Sequence, residues 1–235
     1  MEAGVFLVTG AGRGIGAATA RLAAEAGYRL VLAARDAAAL TDLAASLGGP
    51  DRAMVAPCDV RVYEQVEALV ARVEREWGRL DAVFANAGTS VDTSFAGTGG
   101  APPAEWSDMV LTNVCGPAFT ARAALPALVR SGGHLVLTGS AAGRGVRAGS
   151  LYSATKWAVT GLAQAIRAEC VGTGVRVTLV QPGLTATEAI PASRAADPKL
   201  APEDVARAVL YAVGQPSTVD VNEILVRPVG QAAHR

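Results

Sequence analysis

The first turn of the chain reads Thr9-Gly10-Ala11-Gly12-Arg13-Gly14-Ile15-Gly16. It follows a short apolar run, Val5–Val8, and it precedes Ala17–Glu25, which has the apolar pattern of an amphipathic helix. Glycines let the backbone turn tightly and approach a pyrophosphate, whose charge can be met by amide N–H groups and by the positive end of a helix. Loops also collect glycine for steric reasons, so the motif by itself is weak evidence. Its position between a first strand and a first helix favours a dinucleotide-binding turn.

Beyond this turn, short apolar runs alternate with longer segments of helical period. The runs predict strands at Val5–Val8, Leu30–Ala33, Ala53–Pro57, Ala82–Ala85, His134–Leu137, Val175–Val180 and Ile224–Val226. The intervening segments predict helices at Ala17–Glu25, Ala37–Leu47, Tyr63–Trp77, Pro103–Ser131, Ser153–Cys170 and Pro202–Val213. Continuously apolar strands in β-α-β-α order indicate a parallel sheet that is buried on both faces.

The sequence therefore predicts an α/β fold, with residues 1–235 forming a single Rossmann-like, doubly wound domain. Its seven-stranded, mainly parallel sheet should carry helices on both faces, and no linker, repeat or low-complexity tract divides the chain. Such sheets bind ligands outside the carboxyl ends of their strands, so we expect the chemistry just after the apolar runs.

The composition argues against several classes of partner and site. Lys plus Arg and Asp plus Glu both number 21, which argues against a broad charged surface for nucleic acid or anionic membranes. His134 and His234 are the only histidines, so we expect no histidine-rich metal site and no metal cofactor. The three cysteines are far apart and odd in number, as in a reducing compartment. The first residues lack a basic region and no apolar run reaches membrane-spanning length, so we expect no signal peptide and a cytoplasmic protein.

The end of the second predicted strand bears on the choice of dinucleotide. An acid about 20 residues beyond the glycine turn often bonds the ribose 2′-hydroxyl, but that place holds Ala34, which is followed by Arg35. A guanidinium can hold a 2′-phosphate through two hydrogen bonds, and Arg13 could be a second phosphate partner. These residues favour NADP(H) over NAD(H). Two alternatives stay open: both arginines are ordinary surface residues, or Asp36 is the ribose acid and the cofactor is NAD(H).

Tyr152 and Lys156 are four residues apart in a predicted helix and therefore lie on one face of it. An ammonium beside a phenol favours the phenolate, which lowers the tyrosine pKa from its ordinary value of about 10. Such a tyrosine can act as a general acid towards a carbonyl or as a general base towards an alcohol. The alternative is an exposed tyrosine and lysine on an amphipathic helix.

Polar residues at other predicted strand ends could complete this site. Ser140 follows the strand that begins at His134, and its hydroxyl could hydrogen-bond a substrate oxygen, although a serine there can simply cap a turn. Asn86, in Asn86-Ala87-Gly88, is also explained as a turn residue. Asn113 lies within a predicted helix, where asparagine has poor propensity. A broken local rule beside a candidate site often has a functional reason.

Together these motifs resemble the short-chain dehydrogenase/reductase family over nearly the whole chain. The matching features, in family order and spacing, are T-G-x-x-x-G-x-G at Thr9–Gly16, Asp59-Val60, Asn86-Ala87-Gly88, Asn113, Ser140, Y-x-x-x-K at Tyr152–Lys156, and Pro182-Gly183. The resemblance implies an enzyme that interconverts a carbonyl and a secondary alcohol with a nicotinamide cofactor. It also implies a homotetramer or homodimer that packs through the helices around Trp106–Leu128 and Tyr152.

The resemblance assigns roles to individual residues. Tyr152 would donate or accept the proton, Lys156 would lower the Tyr152 pKa and bind the nicotinamide ribose, and Ser140 would position the substrate oxygen. Asn113 would hold the helix geometry and a proton-relay water. Asp59 would face the adenine, and Pro182–Thr187 would contact the nicotinamide end. The implied cofactor-binding residues are Gly10, Gly12, Arg13, Gly14, Ile15, Gly16, Arg35, Asp59, Val60, Asn86, Ala87, Gly88, Tyr152, Lys156, Pro182, Gly183, Thr185 and Thr187.

Two segments should form the substrate pocket: Thr89–Pro103, and the short, Ala-rich Glu188–Pro202, where family members often carry a lid. Neither has a paired arginine or a carboxylate cluster, and a small neutral substrate is suggested by Leu151, Leu184 and Ile190. The open alternatives are an NAD(H)-dependent alcohol dehydrogenase of the same family and a dinucleotide-sensing protein without catalysis. The complete set of Ser140, Tyr152 and Lys156 favours an enzyme.

Overall fold

The computed structural model, which describes residues 3–145, 147–187, 190 and 194–231, contains one sheet of seven strands. The strands are β1 (Val5–Thr9), β2 (Arg29–Ala34), β3 (Ala53–Pro57), β4 (Ala82–Ala85), β5 (His134–Thr138), β6 (Arg176–Pro182) and β7 (Glu223–Val226). They lie in the order β3-β2-β1-β4-β5-β6-β7, and every neighbouring pair is parallel. The prediction of a seven-stranded, doubly wound, Rossmann-like sheet is confirmed.

Helices cover both faces of this sheet. They are α1 (Gly14–Glu25), α2 (Ala37–Ser46), α3 (Tyr63–Trp77), α4 (Pro103–Val110), α5 (Gly116–Ser131), α6 (Leu151–Glu169) and α7 (Pro202–Val213). The core on one face is built with α3, α5 and α6, and the core on the other face with α1, α2 and α7. Within the described part of the chain, none of these helices combines the length and apolar character that crossing a membrane requires.

Successive residues of β1 face the two cores in turn. Val5 and Leu7 belong to the core under α3, α5 and α6, whereas Phe6 and Val8 belong to the core under α1, α2 and α7. All four side chains are completely buried, and each such burial contributes about 1.5–3 kcal/mol to folding. A strand that is apolar on both faces therefore suits the middle of the sheet, where β1 pairs with β2 and β4.

The prediction of a single helix over Pro103–Ser131 is wrong for the middle of that range. A π-helical segment, Leu111–Cys115, separates α4 from α5, and the Gly116 N–H bonds the Leu111 carbonyl five residues earlier. Pro117 has no N–H with which to bond the Asn113 carbonyl four residues earlier, so a regular α-helix cannot pass this point without losing a bond. The bounds of the other predicted helices and strands agree with the structure to within three residues.

His134 opens β5 and is completely buried. Its Nε2 lies 2.7 Å from the Thr178 hydroxyl oxygen, and that hydroxyl donates to the Val221 carbonyl at 2.6 Å. Nε2 is therefore the protonated nitrogen, and Nδ1 has no partner among the described residues. Burial, together with the Arg176 guanidinium, lowers the pKa of His134 to about 3. The described residues contain no group of three or more side chains that could hold a metal ion, and His134 is a core residue.

We predict that His134→Gln reduces the loss of stability in acid. The unfolded chain binds a proton at His134 below a pH of about 6.5, whereas the folded chain resists protonation down to a pH of about 3. Within that window this one group makes the free energy of unfolding fall by up to about 1.4 kcal/mol per pH unit as the pH drops. Urea unfolding at pH 7 and pH 4.5 should therefore show a smaller decrease for the variant than for the parent protein. Equal decreases in the two proteins would contradict this role of His134.

Candidate active site

The carboxyl ends of the strands form one edge of the sheet, and β1 and β4 are neighbours at its centre. The connection after β1 leads to α1 on one face, and the connection after β4 leads to α4 and α5 on the side of the other core. Diverging connections leave a crevice at this point of a doubly wound sheet, where ligands bind. The predicted site segments after β1, β4, β5 and β6 all lie at this edge.

The glycine turn after β1 is sterically restricted. Gly10 has a φ of +65°, and a Cβ atom there would lie 2.9 Å from the Ala87 Cα. A Cβ on Gly16 would lie 2.1 Å from the Gly10 carbonyl oxygen, whereas Ile15 packs against the core under α1. Arg13, the N-cap residue of α1, makes no side-chain cap hydrogen bond to the first turn of the helix. The turn thus offers close backbone approach and amide donors, and it fits a pyrophosphate.

The glycine turn borders two other segments. A Cβ on Gly12 would lie 3.8 Å from the Ala34 Cβ at the end of β2. A Cβ on Gly14 would lie 3.2 Å from the Thr187 methyl group. Arg13, the residue that precedes α1, is exposed. The structure therefore brings the predicted residues Gly12, Gly14, Arg13 and Thr187 to one place.

Asn86 joins the ends of three strands. Its Nδ2 donates to the Thr9 carbonyl at 3.0 Å, and its Oδ1 accepts from the Thr138 hydroxyl at 3.3 Å. The Thr9 hydroxyl accepts in turn from the N–H groups of Asn86 and Ala87, at 3.0 and 3.1 Å. The Asn86 side chain is therefore directed at the protein, which leaves the backbone of Ala87 and Gly88 to line the floor of the crevice.

Asn113, in the π-helical segment, is 1% exposed and joins two parts of the site. Its amide group exchanges two hydrogen bonds of 2.9 Å with the backbone of Thr89. Its Nδ2 also donates to the Thr155 hydroxyl at 3.1 Å. The unusual helix at Asn113 thus fixes the loop after β4 against α6.

Lys156 lies one turn beyond Tyr152 on α6 and is 5% exposed. Its Nζ donates to the Thr138 carbonyl at the end of β5, at 2.9 Å. A Cβ on Gly88 would lie 3.8 Å from this Nζ, so the floor of the crevice passes beside the ammonium. Burial lowers the pKa of Lys156 to about 8, and the side chain is therefore mainly protonated at neutral pH.

The Ser140 hydroxyl is close enough to the Tyr152 hydroxyl to act on its pKa, in the lowering direction, and it donates to the Pro182 carbonyl at 3.5 Å. The Ser140 Oγ also accepts the Ala142 N–H at 3.1 Å, because Ser140 caps the 3₁₀ turn Ala141–Arg144. The Lys156 Nζ lies 5.7 Å from the centre of the Tyr152 ring. The structure therefore assembles the three predicted side chains Ser140, Tyr152 and Lys156 at one point.

Burial raises the pKa of Tyr152 and outweighs the opposing influence of Ser140 and of the Arg147 guanidinium. We expected Lys156 to lower this pKa, and the structure shows the opposite net direction. The physical reason is that the phenol is partly buried, while the ammonium is directed at the Thr138 carbonyl rather than at the phenol oxygen. The tyrosine of the protein alone is therefore a protonated acid at neutral pH.

Asp59 and Val60 follow β3 in different surroundings. The Asp59 carboxylate pairs with the Nε and Nη2 edge of the Arg61 guanidinium, whose Nη2 lies 2.7 Å from Oδ2, and this contact lowers the pKa of Asp59. Arg61 also contacts Asp108 of α4 at 2.7 Å. Val60 is buried, and a Cβ on Gly116 would lie 2.9 Å from its methyl carbon. Val60 is thus part of the packed wall, and Asp59 lies at its edge.

Asp36 and Arg35, the two competing candidates after β2, differ in their contacts. Asp36 is the N-cap of α2, and its Oδ1 accepts the Ala39 N–H at 3.1 Å. Arg35 is exposed, and its charge contributes to the lowered pKa of Asp59. The carboxylate is therefore engaged with its own helix, whereas the guanidinium is exposed and acts on Asp59.

Thr185 and Thr187, in the segment after β6, have different surroundings. The Thr185 hydroxyl donates to the Gly183 carbonyl at 3.1 Å, and the residue is 7% exposed. Gly183 itself donates to the Val226 carbonyl at 2.6 Å. Thr185 therefore supports the bend after Pro182, and Thr187 is the residue beside the glycine turn. Of the predicted pocket segment Glu188–Pro202, residues 188–189 and 191–193 lie outside the described residues.

Sequence reasoning missed Arg61, Thr93 and Arg147. Arg61 follows Asp59 by two residues, and that spacing could have indicated the ion pair. Arg147 precedes Tyr152 by five residues, and its charge acts on the phenol. Thr93 contacts the start of α6, 56 and 58 residues further along the chain, and no local pattern reveals such a contact.

Comparison with known proteins decides the family. The sequence pattern of short chain dehydrogenases matches residues 4–198. The chain belongs to the short-chain dehydrogenase family. An uncharacterized oxidoreductase of Staphylococcus aureus (strain USA300) is 41% identical over 228 residues, which cover 96% of this chain and 97% of that relative. Family membership identifies the chain as an oxidoreductase.

Two solved structures of this short-chain dehydrogenase family illustrate the fold. The alcohol dehydrogenase from the archaeon Thermococcus sibiricus, complexed with 5-hydroxy-NADP, is 31% identical with a TM-score of 0.89, and the match covers 98% of this chain and 99% of that chain. The closed form of serine dehydrogenase, complexed with NADP+, is 31% identical with a TM-score of 0.90, and the match covers 97% and 96%. The similarity thus spans nearly the whole chain.

Proposed function

We propose that this oxidoreductase transfers hydride between NADP(H) and a carbonyl or secondary alcohol of a small substrate. The observation that carries the proposal is the contact between Ser140, Tyr152 and Lys156 beside a glycine turn that fits a pyrophosphate. A protein that only senses a dinucleotide has no need of these three side chains together at a strand end. NADP(H), when bound, would supply or accept the hydride.

Tyr152 is the proposed general acid for reduction and general base for oxidation. Its raised pKa keeps the phenol protonated at neutral pH, which suits proton donation to a carbonyl oxygen. The Ser140 hydroxyl, which contacts Tyr152, can donate to the same oxygen as negative charge develops there. The two hydroxyls together would orient the reacting oxygen.

Lys156 is proposed to stabilise the phenolate that remains after Tyr152 donates its proton. A buried ammonium near the ring favours the phenolate over the neutral phenol. The Thr138 carbonyl takes one of its three N–H donors, and the others are available to ribose hydroxyl groups. Asn113 is proposed to hold the proton-relay water, because Pro117, four residues further on, has no N–H to donate to its carbonyl.

The preference for NADP(H) rests on the residues after β2. Arg35 is exposed at the adenosine side of the crevice and can pair with a 2′-phosphate. Asp36 caps α2, which weakens the alternative that it binds a ribose 2′-hydroxyl. The two solved relatives described above hold an NADP derivative and NADP+, in agreement with this preference.

The wider setting is proposed on the same grounds. We propose one functional domain over residues 1–235 and a cytoplasmic homo-oligomer, tetramer or dimer. Leu111 and Trp157, on the helices expected to pack against a second copy, are 39% and 49% exposed. The substrate was predicted to be small and neutral, but the Arg147 charge beside Tyr152 is a reason to include small carboxylates in the first substrate panel.

We predict that NADPH binds more tightly than NADH and that Arg35→Ala removes the difference. Loss of a charge-assisted contact to the 2′-phosphate should weaken NADPH binding by about 10- to 100-fold while NADH binding changes little. The measurement is a titration of each nucleotide that follows nicotinamide fluorescence, with Arg21→Ala, at an exposed arginine of α1, as the matched control. Equal or tighter binding of NADH by the parent protein would favour the NAD(H) alternative.

We predict that Tyr152→Phe lowers kcat by about 10²- to 10⁴-fold, as expected for the loss of a general acid–base group. NADPH affinity should fall far less than kcat, because every other proposed cofactor-binding residue is unchanged. The measurement is steady-state turnover on a substrate found with the parent protein, and Tyr211→Phe, at a tyrosine of α7 that is 61% exposed, is the control. Full turnover by Tyr152→Phe would refute the assigned chemistry.

A further inference from the structure

A single hydroxyl connects the loop after β4 to the start of the helix that carries Tyr152. The Thr93 Oγ1 donates to the Gly149 carbonyl oxygen and accepts the Leu151 N–H at 2.9 Å. Leu151 is the first residue of α6, and Tyr152 is the second. The hydroxyl therefore contacts the backbone on both sides of Ser150, the N-cap residue of α6.

The start of α6 depends on side chains for its hydrogen bonds. The first N–H groups of a helix have no acceptor within the helix. The Ser150 Oγ accepts the Ser153 N–H at 3.1 Å, and Thr93 accepts the Leu151 N–H. Gly149 has a φ of +70°, so the chain turns sharply just before the helix. Removal of the Thr93 hydroxyl would leave this turn and the first amide of α6 without their side-chain partner.

Thr93 is itself held in a closed loop. The Asp92 carbonyl accepts the Ala101 N–H at 2.8 Å, which joins the two ends of the loop. Gly100 has a φ of +86°, and a Cβ there would lie 3.1 Å from the Thr93 Cα. Only glycine permits this approach, and the close packing fixes the position of the Thr93 backbone.

The same loop reaches α6 at a second point. Thr89, at its start, is bonded to Asn113, and Asn113 donates to the Thr155 hydroxyl at 3.1 Å. The two connections to α6 are thus at Leu151 and Thr155, one on each side of Tyr152. The loop that should form one wall of the substrate pocket is tied to α6 on both sides of the proposed general acid.

We propose that Thr93 is a positioning residue. Its hydroxyl holds Tyr152 at a fixed position relative to the loop of residues 89–102, which should form one wall of the substrate pocket. The proposal rests on the proposed function, because it assumes that Tyr152 transfers the proton. Thr93 acts through the backbone of Gly149 and Leu151. Its contacts are with α6 and not with the glycine turn, so its loss should affect turnover and leave cofactor binding unchanged.

The test compares Thr93→Val with Thr93→Ser and with Thr173→Val. Valine has nearly the shape of threonine but neither bond, and serine keeps the hydroxyl. Thr173 lies just before β6, away from the site, and its hydroxyl likewise donates to one backbone carbonyl (Cys170) and accepts one backbone N–H (Val175). Three properties are measured: kcat and KM, NADPH affinity, and amide hydrogen exchange in peptides that span residues 147–155. Tyr152→Phe is carried in parallel.

We expect Thr93→Val to lower kcat by about tenfold or more, since small displacements of a reacting group are costly. Exchange at the start of α6 should rise, NADPH affinity should stay unchanged, and Thr93→Ser and Thr173→Val should keep the kcat of the parent protein. The proposal is overturned if Thr93→Val matches Thr173→Val in kcat, if serine does not restore kcat, or if NADPH affinity falls together with kcat. If Tyr152→Phe is inactive while Thr93→Val is silent, only the Thr93 proposal fails. If Tyr152→Phe keeps its turnover, the proposed function fails and the Thr93 proposal fails with it.

Discussion

The hydrogen bonds between Thr9, Asn86 and Thr138 hold together the ends of β1, β4 and β5, and the other parts of the site take their positions from this joint. The Thr9 hydroxyl accepts two backbone N–H groups of the segment after β4, and the Asn86 side chain spans from β1 to β5. These contacts bring Ala87 against Gly10, where only glycine fits. They also place the Thr138 carbonyl where it accepts the Lys156 ammonium. This small polar cluster thus fixes the position of the backbone that would line the cofactor site and the position of the proposed catalytic residue Lys156.

Electrostatics at this edge follows from burial. The pKa of Lys156 is lowered to about 8 and that of Tyr152 is raised, because burial disfavours the charged form of each. Both groups are therefore protonated at neutral pH, Tyr152 as a neutral acid and Lys156 as a cation, and no carboxylate is among the groups that shift the pKa of Tyr152. At the far side of the crevice, Asp59 is paired with Arg61, and Asp36 caps a helix. The carboxylates near the proposed cofactor site are thus engaged with other groups, which agrees with an anionic ligand.

Much of the fold is predictable from the sequence, since apolar runs buried on both faces and helical segments alternate without interruption. The bounds of β3, β4, α3 and α7 agree with the prediction, because turn residues and proline mark them locally. The π-helical segment was missed, since it depends on Pro117 and on the bonds of Asn113 to distant residues. Burial of Tyr152 reversed the expected direction of its pKa, and burial is a property of the packed structure. The contact of Thr93 with α6 and the charge of Arg147 near the phenol likewise arise only when separate segments meet.

The central claim is that the chain moves hydride between NADPH and a carbonyl carbon while Tyr152 supplies the proton. The most direct measurement uses NADPH that carries deuterium at both C4 positions of the nicotinamide, incubated with a panel of small ketones, aldehydes and oxo acids. Mass spectrometry should find an alcohol product with one deuterium on the carbinol carbon, formed by the parent protein. Binding of NADPH without any deuterated alcohol across the panel would contradict the claim and favour a protein that senses the dinucleotide without catalysis.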